Sequence, residues 1–193
     1  MAIQDVRAQL FDAAERVLLR DGAEALTSRA VTTEAGCAKG VLHRHFADFD
    51  TFLAELVLDR VGRIADRSAA LGAAAGSGSV IEHLTEALTD FFGPVALSMV
   101  GLITFRDGLR ARLRAAGQPG IPVLTQASAT VTAYLGRERE LGRIAPTADV
   151  DTLALTLIGT GHLLFAGRDE GRPAAEDVRK VVTSVLTGVL TGA

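Results

Sequence analysis

Apolar residues recur at helical spacing through most of this chain, and no segment shows the two-residue alternation and regular turns of a sheet. Ile3, Val6, Leu10, Ala13, Val17 and Leu18 form the first stripe, and Gly22 follows as its stop signal. Thr27 or Ser28 is placed to cap a short second helix that runs through Val31 and Glu34 until Gly36 interrupts it. A third begins near Ala38 and reaches Phe46. Asp48 then caps a long fourth helix, striped by Phe49, Phe52, Leu53, Leu56, Val57, Ile64 and Leu71.

Three loops divide the remainder: a Gly/Ala/Ser run over 72–79, two Pro and two Gly within 116–122, and a mixture of Gly, Pro and charge over 166–173. Between them the pattern predicts helices at about 80–92, 94–115, 123–140, 149–165 and 174–190. Gly93 and Pro94 either kink one helix or separate two. The expected architecture is all-α with about nine helices. A three-helix helix-turn-helix module over 1–47 is followed by a larger helical domain over 48–193. No repeat of solenoid period is present.

A length of 193 residues with 48% hydrophobic content supports one sizeable core, or a small module joined to a larger one, and argues against global disorder. The formal charge of −3 and the lack of a long Lys/Arg run exclude general nucleic-acid coating, so any DNA binding must come from local geometry. Cys37 is the single cysteine, which rules out an intramolecular disulfide and suits a reducing compartment. Asp5 and Arg7 interrupt the N-terminus, so no signal-peptide core is expected there. The uncharged stretches between Asp90 and Arg106 and between Asp151 and Arg168 fall short of the roughly 18 apolar residues of a membrane span, so they read as buried helices. The expectation is a cytoplasmic protein without membrane association. Trp is absent and Tyr134 is the only tyrosine, so stacking platforms for single-stranded nucleic acid are scarce.

Two short helices joined by a tight turn at Gly36 and packed on a preceding helix match the physical recipe of a helix-turn-helix, although the same spacing occurs in enzymes and bundles. The residues are more specific. Residues 27–46, TSRAVTTEAGCAKGVLHRHF, with their Gly36-x-x-Lys39-Gly40 core and terminal His45-Phe46, resemble the signature of TetR-family transcriptional regulators. The resemblance implies a homodimeric DNA-binding repressor that leaves a pseudopalindromic double-stranded operator when a small-molecule effector enters its C-terminal helical domain.

The residues themselves suit that role. Val31, Ala35, Cys37, Leu42 and Phe46 supply the apolar side that fixes one short helix against the other. The Ser28 hydroxyl and the N–H groups of a helix start suit a phosphate, and Lys39 neutralises another. Gly40 permits close backbone approach, while Val41, His43 and Arg44 project toward the major groove, with His45 completing the set. Arg44 suits bidentate readout of guanine or a phosphate contact. His43 either protonates near neutral pH against phosphates or simply replaces another aromatic ring. Arg29, Lys39 and Arg44 against Glu34 make this stretch locally positive, yet up to position 62 seven basic residues face ten acidic ones. Family members commonly carry a helix-capping residue, a tyrosine and a basic residue where this chain has Ala38, His43 and Phe49. These departures imply modest affinity with a shallow salt dependence, and they support an alternative in which a TetR-like homodimer binds ligand or protein with weak or lost DNA binding.

The resemblance further implies that the last two long helices form a four-helix interface with a second chain. Leu153, Leu157, Thr160, Gly161 and Leu164 share one stripe and Val178, Val182, Val185 and Val189 another, although the same residues suit an intramolecular core. Dimerisation would set two recognition helices roughly 34–36 Å apart. A cavity for a hydrophobic or amphipathic effector is expected among the middle helices, with Phe91, Met99, Ile103, Val131 and Tyr134 as lining and Phe92 and Phe105 nearby. Thr104, Thr130 and the Tyr134 hydroxyl are candidate polar anchors. Arg106 either pairs with an anionic ligand or sits in solvent. Gly62 is placed to ease bending of the long fourth helix. No cofactor, metal or catalytic role is expected: His83 and His162 are isolated, and no metal, nucleophile-elbow or phosphate-loop motif occurs.

Overall fold

The computed structural model describes residues 3–166 and 171–191, with side chains from Val6 onward, so Arg168 and the side chains of Ile3 and Asp5 lie outside the described residues. Ten helices make up the regular structure of this part of the chain. They are α1 (Ile3–Asp21), α2 (Ser28–Glu34), α3 (Val41–His45), α4 (Phe49–Ala74), α5 (Val80–Phe91), α6 (Pro94–Phe105), α7 (Asp107–Ala115), α8 (Pro122–Glu140), α9 (Val150–Ala166) and α10 (Ala175–Leu186).

The all-α expectation holds, with three local corrections. The single helix expected over 94–115 breaks at Arg106, whose extended backbone (φ −119°, ψ 99°) ends α6 and caps α7, giving ten helices instead of nine. The third helix starts at Val41, not Ala38, because the Ala38 carbonyl accepts the Val41 N–H at 2.9 Å and closes a turn ahead of it. The last helix stops at Leu186, not 190. Thr187 is extended, and beyond it the Val189 carbonyl accepts the Ala145 N–H at 2.8 Å, pairing the chain end with the loop before α9. Gly93 and Pro94 separate two helices, with Pro94 at the first position of α6, where its missing N–H is harmless.

The caps follow local chemistry. Thr27, not Ser28, caps α2, its hydroxyl oxygen accepting the Ala30 N–H at 3.2 Å. At the other end of α2 the Cys37 N–H reaches the Thr32 carbonyl and the Gly36 N–H reaches that of Thr33, a Schellman closure that needs the positive φ (64°) of Gly36. Asp48 starts α4 by accepting the Thr51 N–H at 2.7 Å. No single described helix is long and apolar enough to cross a membrane.

Two compact units divide the chain: Met1–Arg60 with Pro94–Pro122, and Val61–Gly93 with Val123–Ala193. In the first, Leu10, Ala14, Val17 and Leu18 of α1 close over Val31, Leu42, Phe46, Phe52 and Leu56, all buried. Phe46 meets Phe52 edge-on at 5.0 Å, and Phe11 lies 5.6 Å from Phe52. Each such ring is worth about 1.5–3 kcal/mol of burial, enough to hold a five-residue helix that has no stability of its own. α6 packs on α1 in the same unit. The second unit has its own core from Leu84 and Leu88 of α5, Val131, Tyr134 and Leu135 of α8, Ala154 and Leu157 of α9, and Val178, Val182 and Leu186 of α10.

Candidate nucleic-acid interface

α1 fixes the C-terminal ends of both helices of the helix-turn-helix. Gln9 donates from Nε2 to the Ala35 carbonyl at 2.8 Å, satisfying the end of α2. Arg7 lies over the Phe46 ring, 4.5 Å from its centroid, donates to the His45 carbonyl at 3.4 Å and pairs with Glu55. A cation at the end of α3 complements the negative end of that helix. Of the residues assigned to the inner side, Val31, Ala35, Leu42 and Phe46 are buried, and Cys37 is half-buried.

The outward side keeps its cations free. Arg29, Lys39, Gly40, His43 and Arg44 are exposed, Val41 and His45 half-buried. Arg29, Lys39, His43 and Arg44 make no hydrogen bond or ion pair with the described residues. Glu34, the one carboxylate in the segment, is held by Arg16 and Arg20, each at 2.8 Å. Hydrogen bonds from Arg16 and then Arg20 keep it below the usual glutamate range. The Ser28 hydroxyl oxygen, by contrast, is buried and has no hydrogen-bond partner among the described residues.

Elements far along the chain complete this unit. Arg106 donates from Nε to Asp50 at 2.6 Å, with its guanidinium 5.2 Å from the centroid of the Phe49 ring. Arg112 pairs with Asp48. Arg106 is thus paired within the chain through its Nε. α7 approaches the first turn of α4 at Gly108, where an added Cβ would collide with the Asp50 carboxylate. Residues 94–122 carry four arginines against one aspartate.

In the second unit, Ala70, Leu71 and Ala74 of α4 and His83, Ala87 and Phe91 of α5, with Arg67, Glu86 and Asp90 at the polar positions, line a cavity of about 220 Å³. Phe91 is the expected lining residue found there. Met99 and Ile103 are buried in the first unit; Val131 and Tyr134 are buried in the second. The Tyr134 hydroxyl lies 2.9 Å from His83 Nδ1, and burial, then Glu138, push its pKa far above the usual tyrosine value. Thr130 is buried with no hydrogen-bond partner for its hydroxyl among the described residues, and Thr104 donates to the Val100 carbonyl at 2.7 Å.

Of the residues assigned to a dimer interface, Leu157, Gly161, Val178 and Val182 are buried within their own chain, while Leu153, Leu164, Val185 and Val189 are half-buried. The fully outward apolar side chains of α9 are Leu155 (65% exposed) and Leu163 (73%). Leu155 and Gly159 also line an open groove of about 700 Å³ with Leu124, Ala129 and Ala133 of α8.

A helix-turn-helix head with exposed cations outward, followed by a helical unit with its own core and cavity, defines the class: an all-α helix-turn-helix protein. Residues 10–56 match the model of the bacterial regulatory proteins of the tetR family. Over nearly its whole length the chain is similar in fold to solved structures of 14–21% identity. The fatty acid degradation regulator FadR of Bacillus halodurans is 18% identical with a TM-score of 0.72, covering 94% of this chain and 98% of that one. FadR of Bacillus subtilis, solved with stearoyl-CoA, is 16% identical with a TM-score of 0.71 and the same coverage. A regulator from Saccharomonospora viridis, solved with choline, is 17% identical with a TM-score of 0.68, covering 97% and 99%. No curated protein matches the sequence.

Proposed function

We propose that this chain is a homodimeric repressor, working in the cytoplasm, that holds a pseudopalindromic operator through residues 1–47 and leaves it when a hydrophobic or amphipathic small molecule binds within residues 48–193. The observation that carries the reading is the outward face of the helix-turn-helix: Arg29, Lys39 and Arg44 are exposed and unpaired while Glu34 is neutralised from behind by Arg16 and Arg20. A folded chain leaves several cations unpaired on one face at little cost only in solvent, and a duplex rewards that arrangement through released counterions. Lys39 and Arg29 serve the backbone, and Val41, His43 and Arg44 the base edges, with Gly40 allowing close approach.

The cavity beside Phe91, with apolar walls and Arg67, His83, Glu86 and Asp90 at its polar positions, suits an amphipathic effector. Relatives in fold solved with stearoyl-CoA and with choline support a small-molecule effector. The exposed Leu155 and Leu163 support a second copy of the chain on α9.

Incubating the ligand-free protein with a randomised duplex pool at low and physiological salt, then sequencing the bound fraction, tests the reading. Enrichment of a palindrome with half-sites about one helical turn apart is expected. Absence of enrichment by folded protein would favour the alternative, a ligand- or protein-binding homodimer without useful DNA affinity.

A further inference from the structure

We infer that α7 belongs to the DNA-binding surface, with Arg112 contacting the phosphate backbone of the duplex. The inference rests on the DNA-binding reading above and adds a residue far from the helix-turn-helix.

The first turn of α4 follows the recognition helix α3 directly, with Phe46 ending one and Asp48 capping the other. A polyanion seated on α3 therefore comes up against two carboxylates, Asp48 and Asp50. α7 answers both. Arg106 holds Asp50 at 2.6 Å, Arg112 holds Asp48, and Gly108 lets the helix come close enough for both.

The Asp48–Arg112 pair leaves the guanidinium available. Asp48 uses Oδ1 to cap the Thr51 N–H and Oδ2 to take one Arg112 nitrogen, Nη2. Nε and Nη1 of Arg112 have no partner among the described residues, and the side chain is 52% exposed. An arginine anchored through one nitrogen, with its other donors free, is preorganised for a phosphate oxygen and loses little rotamer freedom on contact.

Charge points the same way. Residues 1–60 carry seven basic and ten acidic side chains, whereas 94–122 adds four arginines and one aspartate to the same compact unit. The unit that meets DNA is thus neutral instead of acidic, and two of the added arginines, Arg106 and Arg112, lie at the first turn of α4.

The test is duplex affinity by fluorescence anisotropy between about 50 and 200 mM salt, on the selected operator and on an unrelated duplex. Arg112→Gln is expected to weaken binding severalfold on both duplexes and to lower the salt slope by about 1 per subunit. Arg137→Gln, at an exposed pair in the other unit, is expected to bind as wild type. Repeating Arg112→Gln in an Asp48→Asn background separates contact from neutralisation, because asparagine caps a helix as well as aspartate does. A slope loss in both backgrounds supports the contact. An unchanged slope, or an effect that vanishes once Asp48 is neutral, overturns it. A wild-type protein that binds no duplex overturns the DNA-binding reading itself.

Discussion

The ring of Phe92 occupies the space that a side chain at Gly161 would need: a Cβ added there would lie 2.6 Å from Phe92 Cε2. Phe92 is buried and also stacks on Phe165, with centroids 5.4 Å apart, so moving the ring aside would disturb that packing. Gly161 in the interior of α9 therefore serves close packing within the chain.

Gly161→Ala is expected to destabilise the protein by about 1–3 kcal/mol, because overpacking outweighs the better helix propensity of alanine. Gly136→Ala in α8, where an added Cβ meets nothing within 4 Å, is expected to be neutral or slightly stabilising. Urea unfolding of the two variants gives the comparison; equal behaviour would refute the packing argument.

Arg143→Gln should cost about 3 kcal/mol at neutral pH, since it strands a buried carboxylate. Glu138 is fully buried, and Arg143 lies 3.5 Å from its Oε2, which also accepts the Gly76 N–H at 3.3 Å. Chemical denaturation measures the loss, and a cost below about 1 kcal/mol would mean that the pair behaves as a surface one.

Glu34 gives a pH signature of defined sign. Its folded pKa is lowered by Arg16 and Arg20, so its contribution is fully present above the unfolded value near 4.5 and is lost as pH falls through the folded value. The stability difference between wild type and Glu34→Gln is therefore expected to be largest at neutral pH and to shrink in acid. Thermal melts across that range check it, and a difference that grows on acidification would reverse the assignment.

Leu155→Glu with Leu163→Glu is expected to yield a folded monomer in sedimentation, because both side chains point outward. Val182→Glu should instead unfold the chain, since that side chain is fully buried. Retained dimerisation of the α9 double variant would move the interface elsewhere.

Helix positions and the helix-turn-helix were legible in the sequence because both rest on local information. Caps at Thr27 and Asp48, the glycine closure at Gly36 and the apolar stripe of α1 act within a few residues. The cavity was harder to read. Phe91 lines the cavity in the second unit, whereas Met99 and Ile103 belong to the other compact unit, a partition that periodicity does not encode. The arginines of α7 join the charge of the first unit only through the fold, since they lie far along the chain from residues 1–60.

The sequence by itself determined which residues share a helix face and which short segment reads as a helix-turn-helix, since 3.6-residue periodicity and capping are properties of neighbours in the chain. Only the tertiary structure decided what covers each face. The stripe of α10 went to the core of its own chain, Leu155 and Leu163 were left outward, and Arg106 and Arg112 were carried to Asp50 and Asp48. Those partners lie more than fifty residues apart, and their meeting depends on the path of the whole chain.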